Sequence, residues 1–379
     1  MTAVPQHDAA GVRALFVAAG ALFATWGVHV PTVKAHYGVG EQALGMAMLA
    51  TGVGACAGLS QAGRLIHRHG VQRVLWVAGV LSPAAIAMLL AGDAFSVVLW
   101  ALFAFGLISS TFDVAMNVAA TDVERQAGRP VMSGFHGMFS AGGMAGAAFG
   151  GAALQAGMRA ELHLWTASLL CWMLAWWGAA RVATHVHDDE VRPALFWRAS
   201  RPLVVTGVLA ALGLLCEGAM YDWSVLFARE RHGAGAGASA WAYASFSAAM
   251  AAGRFGGDWV RARMSAARLL RLSALLAAAG MGVALASPHL WLTLAGFAGV
   301  GLGLANVVPL LFVAAGRVPG VTPASGIAVV SAMGYLGMMG GPALIGLVAQ
   351  HHGLTVALAQ VLLLALVLAV AAGKALGRV

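Results

Sequence analysis

Three sets of polar residues stand inside otherwise apolar stretches, at spacings that place each set on one helix face. Ser110, Asp113 and Asn117 fall at i, i+3 and i+7. A carboxyl held away from water can exchange protons near neutrality, and a neighbouring amide can bind a polar solute. The plainer reading of Asp113 is a structural hydrogen bond between helices. Glu217, with Tyr221 at i+4 and Ser224 at i+7, makes a second face. It reads either as a second protonatable group or as an acid paired with a basic residue of the other half. Ser133, His136 and Ser140 make a third. His136 could relay protons or bond a solute, because its charge changes near physiological pH; a neutral ring bonded to a nearby carbonyl is the commoner fate.

Other positions complete the candidate list. Asn306 lies 193 residues after Asp113 and could face it as a second solute contact, with Pro309 bending its helix. Arg254 precedes Asp258 by four residues, so the two are expected to pair on one helix face as a structural or gating contact. Asp222 lies off the Glu217 face, nearer the outer end, and reads as a gate or loop contact. Trp26, Trp223, Trp241 and Tyr335 could stack on a solute or anchor at a membrane interface. Of these, Trp26 and Tyr335 are taken as solute contacts.

Composition says what must position these groups. Of 379 residues, 60% are hydrophobic and 9% charged, with a mean hydropathy of +0.83. Soluble chains carry roughly 25% charged residues, so the lipid bilayer must be the solvent for most of this one. The net charge of +8 does not indicate a nucleic-acid partner. The basic residues sit in short gaps between apolar runs, where the orientation rule for membrane proteins expects them. Cys56, Cys171 and Cys216 lie in apolar runs without metal-ligand spacing. The first residues lack a basic n-region and cleavage site, so the first apolar run is expected to stay as a spanning helix.

Spans of about 20 apolar residues fall near 12–31, 42–63, 72–91, 95–120, 131–156, 162–182, 203–228, 238–257, 266–286, 289–315, 324–350 and 354–376. With both termini cytoplasmic, 18 of the 22 basic residues lie on the cytoplasmic side, and only Lys34, Arg159, Arg229 and Arg231 lie opposite. The expected location is the cell inner membrane. Glycine, 50 of 379 residues, is well above its usual share of about 7% and suits closely packed, sliding helices.

The chain also repeats weakly. GRLIHRHGVQRV around His67 resembles GRFGGDWVRARM around Asp258, with His67 and Asp258 at an offset of 191 and the leading Gly63 and Gly253 at 190. Ser133-Gly134 matches Ser325-Gly326, and Gly142 matches Gly334, both at 192. The expected fold class is an all-α membrane protein of twelve transmembrane helices in two pseudo-symmetric six-helix bundles, 1–182 and 203–379. Residues 183–202 form a cytoplasmic linker, with a short interfacial helix near Leu195–Trp197.

A parallel six-plus-six repeat is what the halves of major facilitator transporters show. Gly63 through Gly70, with Arg64, Arg68 and Arg73, resembles that family's loop between helices two and three. His67 stands where the motif has Asp. The second copy keeps Asp258, with Trp259 in place of Arg, then Arg261 and Arg263. In the family this loop closes the cytoplasmic side through charge contacts, so the resemblance implies gating roles for Arg64, Arg68, Arg73, Arg254, Asp258 and Arg261, with the second copy the more complete. FDVAMN (112–117), GRPVMSGFHGMFSAGG (128–143), GLGLANVVPLLF (301–312) and GYLGMMGGPALIG (334–346) resemble a bacterial branch near the fucose permeases. That resemblance implies proton coupling and sugar binding at Asp113.

No phosphate loop is present, so ATP-driven transport is unsupported. No metal spacing or hydrolytic triad suggests an enzyme or a cofactor. The reading is a secondary transporter, able to work as a monomer, that moves a small polar solute by alternating access. The proton is the coupling ion at Asp113 and Glu217, and Asn117, His136, Asn306, Trp26 and Tyr335 contact the solute. Proton-driven efflux of an amphipathic or cationic compound, and a membrane sensor that binds without transport, are the competing readings.

Overall fold

With no water in the bilayer core, each segment must satisfy its backbone internally, and helices do so. The computed structural model describes residues 7–129, 131–182, 200–319 and 321–376, and all regular structure among them is helical. The elements are α1 (His7–Tyr37), α2 (Glu41–His69), α3 (Val71–Ala87), α4 (Ser96–Ala127), α5 (Met132–Gln155) and α6 (Ala160–Ala179). There follow α7 (Arg201–His232), α8 (Ala236–Phe255), α9 (Gly257–Arg261), α10 (Ala266–Ala286), α11 (Leu290–Leu304), α12 (Val307–Ala315) and α13 (Pro323–Leu376). Gly353, at φ 80° and ψ 161°, divides α13 into two arms. Taking α11 and α12 as one interrupted segment, α13 as two, and setting aside the single turn α9, the count is twelve. The fold is all-α, in two pseudo-symmetric six-helix bundles.

Among the described residues, seven stretches are long and apolar enough to cross a membrane by length and composition. Trp100, Trp291 and Val370 are each more than 70% exposed, as expected of side chains whose solvent is lipid. The glycine- and serine-rich α5 and α8 lie against each other across the halves: a Cβ on Gly151 would come 3.0 Å from the Gly237 carbonyl. Such small faces let helix backbones approach where no hydrophobic force drives them together.

The repeat is visible in the packing. A Cβ on Gly146 of α5 would sit 2.8 Å from the Ala21 backbone of α1, and one on Gly337 of α13 would strike the Ala211 backbone of α7. The first helix of each bundle is thus approached closely by a glycine of the fifth. Gly38 and Gly233, which follow α1 and α7, both take a left-handed φ near 60°. Between α4 and α5, the Glu124 carboxylate accepts the backbone N–H groups of Val131 and Met132, each at 2.8 Å. This caps the exposed start of α5.

Two expectations need correction. The 289–315 span is interrupted at Ala305–Asn306, ahead of Pro309 rather than at it. Pro309 sits in the first turn of α12, where a missing N–H is tolerated, and it leaves the residue 305 carbonyl without its helical donor. The seventh span starts at Arg201 and runs to His232, longer at its far end than expected. Residues 183–199 of the linker, including Leu195–Trp197, lie outside the described residues.

Candidate functional site

Asp113 sits midway along α4. Its Oδ1 accepts from the Asn117 amide at 3.1 Å, and the same amide bonds the Asp113 carbonyl at 2.8 Å. The Tyr335 hydroxyl, from the first arm of α13 in the opposite bundle, points at Oδ2 from 3.4 Å. Among the described residues no basic side chain meets this carboxyl. Asp113, Asn117 and Tyr335 are therefore brought together as one group spanning the halves. Ser110 does not join them: its hydroxyl returns to the Leu107 carbonyl at 3.1 Å, beside Gly58 of α2.

Glu217 and Arg254 form a second group, between α7 and α8. Arg254 donates Nη2 to Glu217 Oε1 at 2.9 Å and Nη1 to Ser140 Oγ at 2.8 Å. A longer contact, 3.5 Å, reaches the His136 carbonyl. The Ser133 hydroxyl on α5 donates to the Arg254 carbonyl at 3.0 Å. The stripe of Ser133, His136 and Ser140 thus faces α8, and Arg254 stitches α5 to the second bundle. The His136 ring packs edge-on against Phe16, 5.4 Å between centroids, while its carbonyl faces the guanidinium.

This overturns the expected Arg254–Asp258 pair. The i to i+4 rule needs a continuous helix, and α8 ends at Phe255 before α9 starts at Gly257. Asp258 instead bonds Arg261 within its own short helix, on the exposed end. Arg254 points inward and pairs with Glu217. Glu217 is correspondingly paired within its own bundle, not across the halves. Arg64, Arg68 and Arg73 are exposed and meet no acid among the described residues. The nearby Gln72 amide holds the loop to the end of α6, through the carbonyls of Ala179 and Val182 at 3.1 and 2.9 Å.

Asn306 lies at the break between α11 and α12, where its amide donates to the Gly253 carbonyl of α8 at 3.2 Å. Its side chain also fills the space a Cβ on Gly257 would take. In this position it holds the interrupted helix to α8 rather than facing Asp113. Trp26 is buried and donates its indole N–H to Asp222 Oδ1 at 3.0 Å. Trp223 is fully buried, whereas Trp241 is 45% exposed on the outer face.

Several contacts escaped the reading of the sequence. Lys34 reaches Glu41 in its own bundle and Glu230 of α7, both at 2.5 Å. Lys34 and Glu230 are 196 residues apart, as are Trp26 and Asp222. The two contacts share one separation and join α1 to α7 on two levels of the seam. His29 and His163, both fully buried, bond ring to ring at 2.8 Å between α1 and α6, a pairing for which the sequence carries no spacing signal.

The sequence pattern of the Major Facilitator Superfamily matches residues 14–322. The chain belongs to the Major Facilitator Superfamily. It is a multi-pass membrane transporter of that superfamily. An uncharacterised transporter of the same type from Yersinia pestis is 34% identical over 95% of this chain and 94% of its own length. The membrane protein MosC of Rhizobium meliloti is 31% identical over 93% of this chain and 86% of its own. Among solved structures, the nucleoside transporter NupG shares 12% identity with a TM-score of 0.76, covering 97% of this chain and 99% of that one. A bacterial homologue of the human lysosomal transporter Spinster, inward-facing and occupied, shares 13% with a TM-score of 0.77, covering 99% and 98%. At these identities the two structures are similar in fold alone.

The contacts between the transporter's bundles are uneven along its length. At the end carrying residues 37–41, Lys34 bridges to Glu230, and the Gln42 N–H bonds Gln350 at 3.3 Å. Toward the arginine-rich end, α2 and α13 still meet at Cys56 and Met339, but α2 residues 63–65 and 67–69 are exposed.

Proposed function

We propose that this transporter moves a small polar solute, sugar-like in its hydrogen-bonding groups, across the inner membrane by proton-coupled alternating access. The observation that carries this is Asp113. It is a carboxyl inside a membrane bundle, bonded to an amide of its own helix and a phenol of the other half, with no basic partner among the described residues. Intramembrane acids of this kind mark ion and substrate pathways. A group that contacts both bundles can report its protonation to the contact between them. Asn117 and Tyr335 share the carboxyl and supply the solute contacts, with Trp26 nearer the opposite end. Glu217 serves as the partner of Arg254, so the proton falls to Asp113.

With both termini cytoplasmic, the arginine-rich end faces the cytoplasm. The Lys34–Glu230 bridge then closes the outer side, and Arg64, Arg68 and Arg73 lie exposed at the inner end, where Ser133 and Arg254 still join α5 to α8. Arg64, Arg68 and Arg73, with Asp258 and Arg261 of the second copy, form the inner gate when the halves rock over. The protein works as a monomer and performs no covalent chemistry.

The test is uptake by purified protein in liposomes under an imposed pH gradient. Solutes come from a thermal-shift panel of neutral sugars, polyols, sugar acids and organic amines, because a ligand of the native state raises apparent stability. Accumulation driven by the gradient and abolished in Asp113→Asn is expected. Gradient-driven accumulation that survives in Asp113→Asn overturns the assignment.

One observation favours a second reading, efflux of a cationic compound. Asp113 and Asp222 are two acids within the bundles that meet no basic side chain among the described residues, a setting that also suits an amine. Panel hits confined to amines, with resistance lost in a deletion strain, select that reading.

A further inference from the structure

Asp113 has another neighbour besides the seam between the bundles. It lines a cavity of about 30 Å³ whose walls come from α1, α3, α4, α5 and α6, all within the first bundle. Tyr335 and the solute-facing groups of the second bundle take no part in it. Most of the wall is apolar, but its few oxygens are unusually free. Ser82 is 3% exposed, and its hydroxyl has no hydrogen-bond partner among the described residues. Ser109 has only a long contact, 3.4 Å, to the Gly106 carbonyl. Pro83 has no N–H, so the Gly79 carbonyl loses its usual helical donor, and both residues line the same cavity.

Buried polar groups almost always find partners, and a polar space larger than about 10–15 Å³ can hold a water that makes two to four hydrogen bonds. Here Asp113, Ser82, Ser109 and Gly79 bring a carboxyl, two hydroxyls and a freed carbonyl to the wall of a mostly apolar space with room for one or two waters.

We infer that this cavity is a water site that reaches Asp113 from inside the first bundle, and that Ser82 positions the water through which Asp113 gains and loses its proton. The inference rests on the proton-coupled reading of Asp113. On loading, one proton passes from hydronium at the site to the carboxylate oxygen, leaving water; release is the reverse, and no electrons change hands. The proton then meets Asp113 from the first-bundle side, away from Tyr335, so solute and proton can occupy the protein together.

Two measurements test this. The first is hydroxyl-radical footprinting of the intact protein, read by mass spectrometry. Met116 and Cys171 are buried, at 1% and 6% exposed, and line the cavity, whereas Met220 and Cys216 are fully buried elsewhere. Oxidation of Met116 and Cys171 well above Met220 and Cys216, reduced in Ser82→Ala, is the expected result; equal oxidation of all four means a dry cavity and overturns the site. The second compares net uptake under a pH gradient with solute counterflow, which needs no net proton release. Ser82→Ala should slow net uptake about tenfold, the worth of roughly one hydrogen bond, with counterflow unchanged. Unchanged net uptake, or an equal loss in both assays, overturns the role of Ser82. A parent protein that ignores the pH gradient defeats the coupling reading instead, and the footprint still decides the water.

Discussion

Asp113 in the first bundle and Glu217 in the second both sit on central helices, yet their surroundings are electrically opposite. Glu217 faces a guanidinium at 2.9 Å, and that guanidinium is further held by Ser140. Asp113 faces an amide and a phenol. A buried pair of opposite charges is locked: either partner alone would be a desolvated ion. A half-buried acid with only neutral partners is free to change its charge without leaving a counter-ion behind. The contrast divides the labour, with the second bundle using its acid to fix α5, α7 and α8 together and the first keeping its acid available.

The largest effect should come from breaking the locked pair. Glu217→Ala leaves Arg254 buried and uncompensated, which costs about 3–5 kcal/mol. Thermal unfolding in detergent should show a drop of that order, and Glu217→Met combined with Arg254→Met should recover most of it. A single variant as stable as the parent would mean that the pair does not hold the helices.

Asp113→Asn should behave in the opposite way. The new amide can keep its contacts with Asn117 and Tyr335, so stability should change by no more than about 1 kcal/mol. Gradient-driven accumulation should vanish while solute binding, read by thermal shift, persists. Loss of stability comparable to that of Glu217→Ala would erase the distinction between the two acids.

The α1–α7 seam sharpens the comparison from another direction. Lys34 is about one-quarter exposed, with Glu230 more so, and the contribution of such a pair is about 0–1 kcal/mol. That is small for folding but enough to shift a conformational equilibrium several-fold. Lys34→Ala should therefore leave the unfolding temperature almost unchanged and raise the labelling of a cysteine placed in the α1–α7 seam near Lys34. Unaltered labelling would show that the bridge does not keep that end closed.

Twelve segments and the six-plus-six repeat were legible because lipid imposes a long apolar run on every crossing, and because the offset near 192 survives in glycines such as Gly142 and Gly326, whose Cβ would strike a neighbouring backbone. The Asp113–Asn117 contact was legible too, since it lies within one helix turn. What could not be read were the partners across space. The spacing of Arg254 suggested Asp258, but the break at Gly256 and the burial of the guanidinium gave it to Glu217. Asn306 shares a register with Asp113, yet the interrupted helix turned its amide to Gly253. Periodicity reports which face a residue occupies, not which helix that face meets.

The smallest expected effect concerns the arginines of the first loop motif. Arg68 is exposed and meets no acid among the described residues, while the matching acid of the second copy, Asp258, is held by Arg261. Substitution of such a surface residue changes stability by about 0.5 kcal/mol or less, so Arg68→Gln should unfold with the parent. If the motif closes the inner side in the opposite state, the same variant should slow net uptake while leaving solute affinity intact, because binding occurs in the state where Arg68 is already free. Parental rates in both Arg68→Gln and Arg64→Gln would confine the motif's role to the second copy, where the acid is retained.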